Sequence, residues 1–260
     1  YIDNLRSIRR DALNETGHIL LPPLPRIKKQ QLKGLQIKDI GNLVDAEQLL
    51  LKIDKSGKES IVFSTQKKLK TDYKSLMILS ATSDQNILSQ IFPRLEYIDL
   101  GFVELKGKLV QNLNRSLSKS TAIREGQIEV LSELSTQIGN TKVISHKLEE
   151  LDSLFNGGLN FYNSEGLNTF QDYDLLILGT PYPPEHLFPL VFLTLGIEFE
   201  IYELDWMQVE INGWIIPLRT YKDSCLRSAH IKFIEGILLQ AVGRARLIQY
   251  NRKVMVISKV

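Results

Sequence analysis

Strand-like runs alternate with longer helix-like segments along this chain, most regularly after residue 123, and this alternation restricts the fold more than any other feature. The strand-like runs occupy residues 59–63, 76–79, 97–102, 142–145, 159–162, 175–178 and 254–257. Helix formers or helical periodicity occupy residues 43–52, 84–92, 123–138, 148–155, 185–195 and 224–247. Strands that alternate with helices predict an α/β fold with a parallel sheet, flanking helices and right-handed crossovers.

Residues 199–221 interrupt this alternation. They form two strand-like stretches, 199–211 and 214–221, on either side of Asn212-Gly213. Asn-Gly is the strongest short hairpin signal, because a type I′ turn needs two residues that tolerate positive φ. The sequence therefore predicts a β-hairpin inserted before the last helix, which Ser224 can cap.

The bulk properties exclude several classes of protein. The 32 basic and 30 acidic side chains among 260 residues leave a net charge of +2, too small to indicate a polyanion partner by itself. Cys225 is the single cysteine, which excludes a disulfide framework, and with four scattered histidines it gives no metal-binding spacing. We therefore expect no metal ligands and a reducing, cytoplasmic location. The longest apolar run, 187–195, is far below the roughly 20 residues of a bilayer span, so we expect no membrane partner.

The end of the predicted last helix reads Gln-Ala-Val-Gly-Arg-Ala-Arg at positions 240–246. This segment resembles the sixth motif, Gln-x-x-Gly-Arg-x-x-Arg, of superfamily 2 nucleic-acid helicases. The resemblance implies that Arg244 is an arginine finger for ATP hydrolysis, with Gln240 and Arg246 in the catalytic group and Gly243 beside the nucleotide. The second arginine follows Arg244 by two positions instead of three, which leaves the roles of the two arginines open. A basic helix end stabilised by the helix dipole is the alternative.

A second segment, Leu-Met-Ile-Leu-Ser-Ala-Thr at 76–82, resembles the third motif of the same family. There, a buried strand delivers Ser-Ala-Thr at its carboxyl end. The resemblance implies that the hydroxyls of Ser80 and Thr82 link the ATP site to the nucleic-acid site. The alternative is a cap at the junction between a strand and a helix.

Two more segments resemble the fourth and fifth motifs. Lys-Val-Ile-Ser-His-Lys at 142–147 resembles the fourth, and the resemblance implies phosphate contacts by Ser145 and Lys147. Gly166-Leu-Asn168, followed by Gly-Thr-Pro at 179–181, resembles the fifth, and implies that Gly166 and Asn168 lie near the nucleotide and Thr180 near the nucleic acid. A solvated strand end and an ordinary turn are the alternatives.

The four segments occur in the family's order and cover residues 76–257. The resemblance implies three parts: the incomplete tail of a first RecA-like domain (1–101), a linker (102–122) and a second RecA-like domain (123–260). Arg115 and Lys119 in the linker are further candidates for phosphate contact.

No phosphate loop and no strand ending in Asp-Glu is present, so ATP and Mg²⁺ would be held mainly by the N-terminal RecA-like domain of the same parent chain. This chain is therefore expected to be a C-terminal fragment of an ATP-dependent helicase that does not hydrolyse ATP alone.

Two other functions stay open at this stage. One is a non-catalytic RecA-like module that binds nucleic acid or a protein. The other is an unrelated doubly wound enzyme with Gly157-Gly158 or Gly179 near a phosphate, for which no strand–Gly-x-Gly-x-x-Gly–helix unit exists. The partner expected from the resemblance is single-stranded or duplex nucleic acid. DNA is favoured over RNA, because Gly-Thr-Pro and the inserted hairpin are closer to the pattern of replication helicases.

Overall fold

The computed structural model describes the backbone of a large part of the chain. It covers residues 18–21, 46–53, 59–66, 77–78, 80, 82, 85–101, 103–113, 117, 130–133, 141–146, 158–163, 170, 173–200 and 203–260. The chain divides into two compact units. The first comprises residues 1–79, 184–204 and 221–226, and the second comprises residues 80–183, 205–220 and 227–260.

The first unit contains an antiparallel sheet of three strands, β1 (His18–Leu21), β2 (Gln48–Ile53) and β3 (Glu59–Ser64), with β2 in the centre. Helix α2 (Leu187–Leu195) packs on β2 and β3 and ends at Gly196, which adopts a left-handed conformation. The buried side chains of this layer include Leu49 and Leu50 of β2 and Phe188, Leu190 and Phe192 of α2.

The strand β2 corrects the helix predicted at 43–52. Leucine favours helices in isolation, but Leu49, Leu50 and Leu51 pair on both sides, with β1 and with β3. Tertiary pairing thus outweighs the local preference. The short strand predicted at 59–63 is confirmed by β3.

The second unit contains a five-stranded sheet in which every pair is parallel. Its order is β4 (Lys108–Asn112), β10 (Lys253–Ile257), β7 (Asp174–Leu178), β5 (Thr141–Ser145) and β6 (Leu159–Asn160). The predicted α/β fold with a parallel sheet and flanking helices is therefore confirmed. The strands predicted at 142–145, 175–178 and 254–257 are present almost residue for residue.

One face of this sheet carries the main hydrophobic core. Leu175 and Ile177 of β7 and Val254 and Val256 of β10 are buried there. They are joined by side chains from the last helix, α3 (Ser224–Gly243), and from strands β8 (Leu204–Ile211) and β9 (Trp214–Tyr221): Ile234, Leu238, Ala241, Val209, Ile216 and Leu218. The carboxylate of Asp223 caps α3 by accepting the amide protons of Cys225 and Leu226, both at 2.9 Å, so the cap lies one residue before the predicted Ser224.

Strands β8 and β9 form a separate two-stranded sheet, here called the β8–β9 ribbon. Asn212 and Gly213 between them have φ values of 52° and 82°. Positive φ at both positions is what the two-residue turn requires, and this explains the Asn-Gly pair.

Other expectations differ from the structure. Residues 97–101 form no strand, although a strand was predicted at 97–102. Within the predicted linker, residues 108–112 form β4, an edge strand whose five residues are all exposed. A helix near 84–92 is confirmed as α1 (Gln85–Ile91). The helices predicted at 123–138 and 148–155 lie mostly or wholly outside the described residues, although residues 130–133 are helical. Among the described residues, no helix has the length and apolar character needed to cross a membrane.

Candidate functional site at the carboxyl edge of the parallel sheet

The strand order of the five-stranded sheet defines a switch point between β5 and β7. Within this sheet, the strand that follows β5 in sequence is β6, on one side of it, whereas the strand that follows β7 is β10, on the other side. Connections that leave neighbouring parallel strands in opposite directions open a crevice at the carboxyl ends, where open α/β sheets bind ligands. Ser145 ends β5, and Gly179 and Thr180 follow β7, so residues of the fourth- and fifth-motif resemblances meet at this crevice.

The hydroxyl groups at the crevice have partners within the protein. Thr180 is fully buried, and its Oγ1 lies 3.0 Å from the Oγ of Ser258, which follows β10 and is also fully buried. The Ser145 hydroxyl, 5% exposed, donates to the carbonyl oxygen of His146 at 3.0 Å. Phosphate contact by these two hydroxyls therefore stays a prediction. To contact a phosphate, each hydroxyl would have to give up its present hydrogen bond and form a new one to the ligand.

Gly179 brings two segments of chain close together at the crevice. Its φ is 102°, and its amide donates to the carbonyl oxygen of Ile257 at 2.9 Å. A β-carbon at this position would lie 2.8 Å from Nε2 of His146 and against the carbonyl oxygen of Leu117. Both the conformation and the space thus require glycine, and the imidazole of His146 is held beside the first turn after β7.

Aromatic and amide side chains extend the crevice beyond β5. The rings of His146 and Phe161 form a T-shaped contact with 5.4 Å between their centroids. At the end of β6, the Asn160 side chain accepts the amide proton of Tyr162 at 3.2 Å, and the Tyr162 hydroxyl donates to the carbonyl oxygen of Tyr182 at 3.3 Å. Tyr162 remains 54% exposed. Among the described residues, it therefore offers an accessible aromatic face near the crevice.

A buried histidine, His230, lies next to Tyr182. His230 of α3 is 2% exposed, and its Nδ1 lies 2.9 Å from the Thr220 hydroxyl, while its ring is 5.8 Å from that of Tyr182. Burial, with a smaller contribution from the charge of Arg219, lowers the pKa of His230 to about 4. His230 is therefore neutral at physiological pH and acts as a core hydrogen-bonding group.

The arginines of the sixth-motif resemblance lie at the opposite edge of the sheet. Helix α3 ends at Gly243, and Arg246 follows with a φ of 52°. The carbonyl oxygen of Leu247 then accepts the amide protons of Lys106 and Gly107, immediately before β4 begins. Because a strand of five residues spans about 16 Å, the structure does not bring Arg244 together with Ser145 and Thr180. Arg244 is half-buried, whereas Gln240, Gly243 and Arg246 are exposed.

Thr82 of the third-motif resemblance lies against α3. A β-carbon on Gly236 would lie 3.5 Å from Cβ of Thr82, and the amide of Thr82 donates to the Ser80 hydroxyl at 3.3 Å. Gly236 and Gln240 are four residues apart on one face of α3, and Arg244 follows the end of the helix. Thr82 therefore lies beside α3, the helix that precedes Arg244 and Arg246.

Five predicted site residues lie outside the described residues: Lys147, Gly166, Asn168, Arg115 and Lys119. The sequence analysis missed Ser258 and Asn160 as members of the carboxyl edge and gave His146 no role of its own. Each of them is a polar residue at the end of a strand-like run, the same signal that identified Ser145.

The carboxyl edge consists of hydrogen-bonding side chains next to closely packed backbone. No cluster of His, Cys, Asp or Glu suited to a metal ion exists among the described residues. No protein-family model, curated protein or solved structure matches this chain. The geometry of the sheet and the order of the segments are therefore the basis of the functional proposal.

Proposed function

We propose that this chain is the C-terminal part of an ATP-dependent nucleic-acid helicase or translocase, with a nucleic-acid backbone grip at the carboxyl edge and an arginine finger at the end of α3. One observation carries the proposal. The segments that resemble the fourth and fifth motifs were identified separately in sequence, and their described residues 142–146 and 179–181 flank the switch point of one all-parallel sheet. That crevice is where a ligand is expected in such a sheet.

The separation of Arg244 from the crevice fits a division of labour. An arginine finger acts on a nucleotide bound by another domain, whereas the grip acts on the nucleic-acid backbone, so the two need not be adjacent. Arg244 is half-buried and directly follows α3, and its amide donates to the carbonyl oxygen of Ala241 in the last turn of that helix. In this proposal ATP and Mg²⁺ are held by the RecA-like domain that precedes this chain in its parent.

The grip is tested by binding of a fluorescent single-stranded DNA oligonucleotide, measured by anisotropy at increasing salt. Affinity should fall linearly with the logarithm of salt concentration, because phosphate contacts release counterions. Lys147→Gln should weaken binding on every sequence tested and reduce the salt slope by about one.

The matched control is Lys232→Gln, which removes the same charge from α3, where Lys232 pairs with Glu235 at 2.9 Å. It should leave the slope unchanged. Tight binding that ignores salt, or equal effects of the two variants, would contradict the backbone grip. RNA of the same sequence, run in parallel, decides between DNA and RNA.

A second candidate function is a non-catalytic nucleic-acid or protein-binding module. It is favoured by the burial of the Ser145 and Thr180 hydroxyls, which already have partners in the protein. ATPase activity of the full-length parent, measured with and without single-stranded nucleic acid, separates the two functions. A parent that binds nucleic acid but never hydrolyses ATP would support the module.

A further inference from the structure

The amino edge of the five-stranded sheet, where its strands begin, concentrates positive charge. The whole chain has 32 basic and 30 acidic side chains, so its average charge indicates no polyanion partner. Residues 106–108 and 244–253 meet at this edge, and together they contain six basic side chains and no acidic one. The six are Lys106, Lys108, Arg244, Arg246, Arg252 and Lys253. A local excess of this kind is the electrostatic footprint expected of a nucleic-acid contact.

Backbone hydrogen bonds hold the two segments together. The amides of Lys106 and Gly107 donate to the carbonyl oxygen of Leu247 at 2.9 and 3.0 Å, and the amide of Lys108 donates to the carbonyl oxygen of Arg252 at 2.7 Å. The contact is close, since a β-carbon on Gly107 would lie 2.5 Å from the Arg252 carbonyl oxygen. The basic side chains therefore extend from backbone whose position is fixed by the fold.

Two lysines of this edge share one face of the sheet. Lys108 and Lys253 are exposed register partners, and neighbouring strands lie about 4.8 Å apart. Both line a cleft of about 370 Å³ together with Asp174, whose carboxylate accepts the amide proton of Lys253 at 2.8 Å. Asp174 and the exposed Glu104 offset only part of the charge of the six basic side chains. An anion that lies along the edge is attracted by the remaining charge.

Tyr250 adds an aromatic ring to this edge. It is 38% exposed, its amide donates to the carbonyl oxygen of Arg246 at 3.0 Å, and its own carbonyl oxygen accepts the amide proton of Arg252 at 3.0 Å. The ring is thus carried on a hydrogen-bonded turn between two arginines. Proteins that bind single-stranded nucleic acid combine a basic surface with aromatic rings on which bases stack. Unpaired bases can stack on such a ring, whereas the bases inside a duplex are already stacked on one another.

From these observations we infer that the amino edge binds a single strand of nucleic acid. The phosphate contacts of this amino-edge site are Lys106, Lys108, Arg252 and Lys253, and its stacking ring is Tyr250. The site is additional to the backbone grip proposed at the carboxyl edge, from which the length of a strand, about 16 Å, separates it. Arg244 and Arg246 are not counted among its phosphate contacts, because the proposed function assigns them to the nucleotide.

Binding of a fluorescent oligothymidylate of about 12 nucleotides, measured by anisotropy at increasing salt, tests the inference. Lys108→Gln and Lys253→Gln, made together, should reduce the salt slope by about 1.4, since each phosphate contact of a single strand contributes about 0.7. The matched control is Lys222→Gln with Lys232→Gln, which removes the same charge from two exposed lysines that pair with glutamates at 2.8 and 2.9 Å. It should leave the slope unchanged. Circular dichroism confirms that each variant is folded.

The stacking ring has its own variants. Tyr250→Leu should weaken binding about 5- to 150-fold without changing the salt slope, because it removes one stacked base and no phosphate contact. Tyr250→Phe keeps the ring and should bind like the unmodified chain. Poly-glutamate, which offers charge without bases, should displace the oligonucleotide less effectively than unlabelled oligothymidylate of equal charge.

An unchanged slope in the double amino-edge variant, an equal loss in the control, or full affinity in Tyr250→Leu overturns the inference. Equal displacement by poly-glutamate overturns it as well, and points to an acidic protein as the partner. Lys147→Gln, measured in parallel, separates this site from the carboxyl-edge grip. A reduced slope in Lys147→Gln alone keeps the grip and removes the amino-edge site, whereas a reduced slope in the amino-edge variant alone supports the site and contradicts the grip.

Discussion

At the scale of single residues, Gly179 and Arg244 are the two positions that are most informative to substitute. Gly179 lies at the carboxyl edge of the parallel sheet, and Arg244 lies at the opposite edge. Gly179 holds the first turn after β7 in a conformation and a space that only glycine fits. Arg244 follows the last turn of α3, and its amide donates to the carbonyl oxygen of Ala241 at 3.1 Å. Each residue allows a substitution whose effect separates a local role from a general loss of folding.

Gly179→Ala should destabilise the second unit by about 2–4 kcal/mol, because the methyl group would be strained at this φ and would collide with His146 and Leu117. Gly213→Ala is the matched control, since Gly213 also has positive φ but open space around it. That variant should lose about 1 kcal/mol. Urea unfolding monitored by circular dichroism measures both, and equal losses would show that the crowding at Gly179 is unimportant.

If Arg244 is the proposed arginine finger, Arg244→Lys in the full-length parent should lower ATP turnover by about 10³-fold or more, because lysine keeps the charge but loses the planar fork that would span two phosphate oxygens. Nucleic-acid affinity without nucleotide should barely change. Steady-state ATPase assays measure turnover, and thermal melting checks folding.

Arg246→Lys is the comparison for this experiment, since Arg246 lies outside the helix with positive φ. Near-normal turnover in Arg244→Lys with a loss in Arg246→Lys would assign the finger to the other arginine. Normal turnover in both would remove the helicase interpretation.

At the scale of elements, the β8–β9 ribbon is unusual in what it exposes. The chain has two tryptophans, and both lie on this ribbon, with Trp206 63% and Trp214 66% exposed. Trp206 lies on the face of β8 opposite to the buried Val209. Trp214 lies on the same face of β9 as the buried Ile216 and Leu218, but at the start of the strand beside the Asn212-Gly213 turn. One tryptophan is therefore exposed on the outer face of the ribbon and the other at its tip.

Tryptophan fluorescence of the native chain should accordingly resemble that of indole in water, because both rings contact solvent. Acrylamide should quench the native chain nearly as strongly as the urea-unfolded chain. Trp206→Phe and Trp214→Phe separate the two contributions. A native emission strongly shifted to the blue, or protection from acrylamide, would contradict the exposed face of the ribbon.

The elements also show what local sequence determines. The Asn212-Gly213 turn and the apolar run of β7 were predictable, because a turn geometry and a strand buried on both faces each impose their own residues. The helix predicted at 43–52 was wrong, since Leu49, Leu50 and Leu51 are compatible with either structure and the neighbours of β2 decide. The strand predicted at 97–102 was wrong for the opposite reason: its residues suit a strand, but no neighbour pairs with it among the described residues.

At the scale of the whole molecule, one buried group links stability to pH. His230 has its pKa lowered to about 4 in the folded chain, against an ordinary value of about 6.5 in the unfolded chain. Between these values the unfolded state binds the additional proton, so the free energy of unfolding falls as pH decreases from 6.5 towards 4. Above pH 6.5 His230 makes no pH-dependent contribution.

The loss from this group should reach about 3 kcal/mol near pH 4. His230→Asn keeps a polar atom near the Thr220 hydroxyl but cannot be protonated, so its stability should decline less over the same range. Urea unfolding of both proteins at pH 7, 5.5 and 4.5 measures the difference. Parallel pH profiles would show that His230 does not titrate as its burial implies.

Sequence patterns identified single residues of the candidate site, but not how the whole fold brings them together. Ser145 and Thr180 could be identified because each follows a strand-like run, but their adjacency depends on the order of strands in the sheet, which sequence patterns do not encode. Ser258, the partner of Thr180, follows the last strand. The distance between Arg244 and the crevice likewise follows from the direction of α3, which returns along the sheet to the edge where β4 begins.

The pairing of β4 with β10 has a consequence for how the protein is made. Lys108 and Lys253 are register partners, although more than half of the 260 residues separate them in sequence. During synthesis, β4 leaves the ribosome roughly ten seconds or more before β10 does. Its apolar residues Leu109 and Val110 lack their native neighbour throughout that interval. Contacts between such distant segments also form slowly. Because β10 lies between β4 and β7, the sheet is completed only when β10 inserts between them. Until then the edge of β4 can pair with another nascent chain.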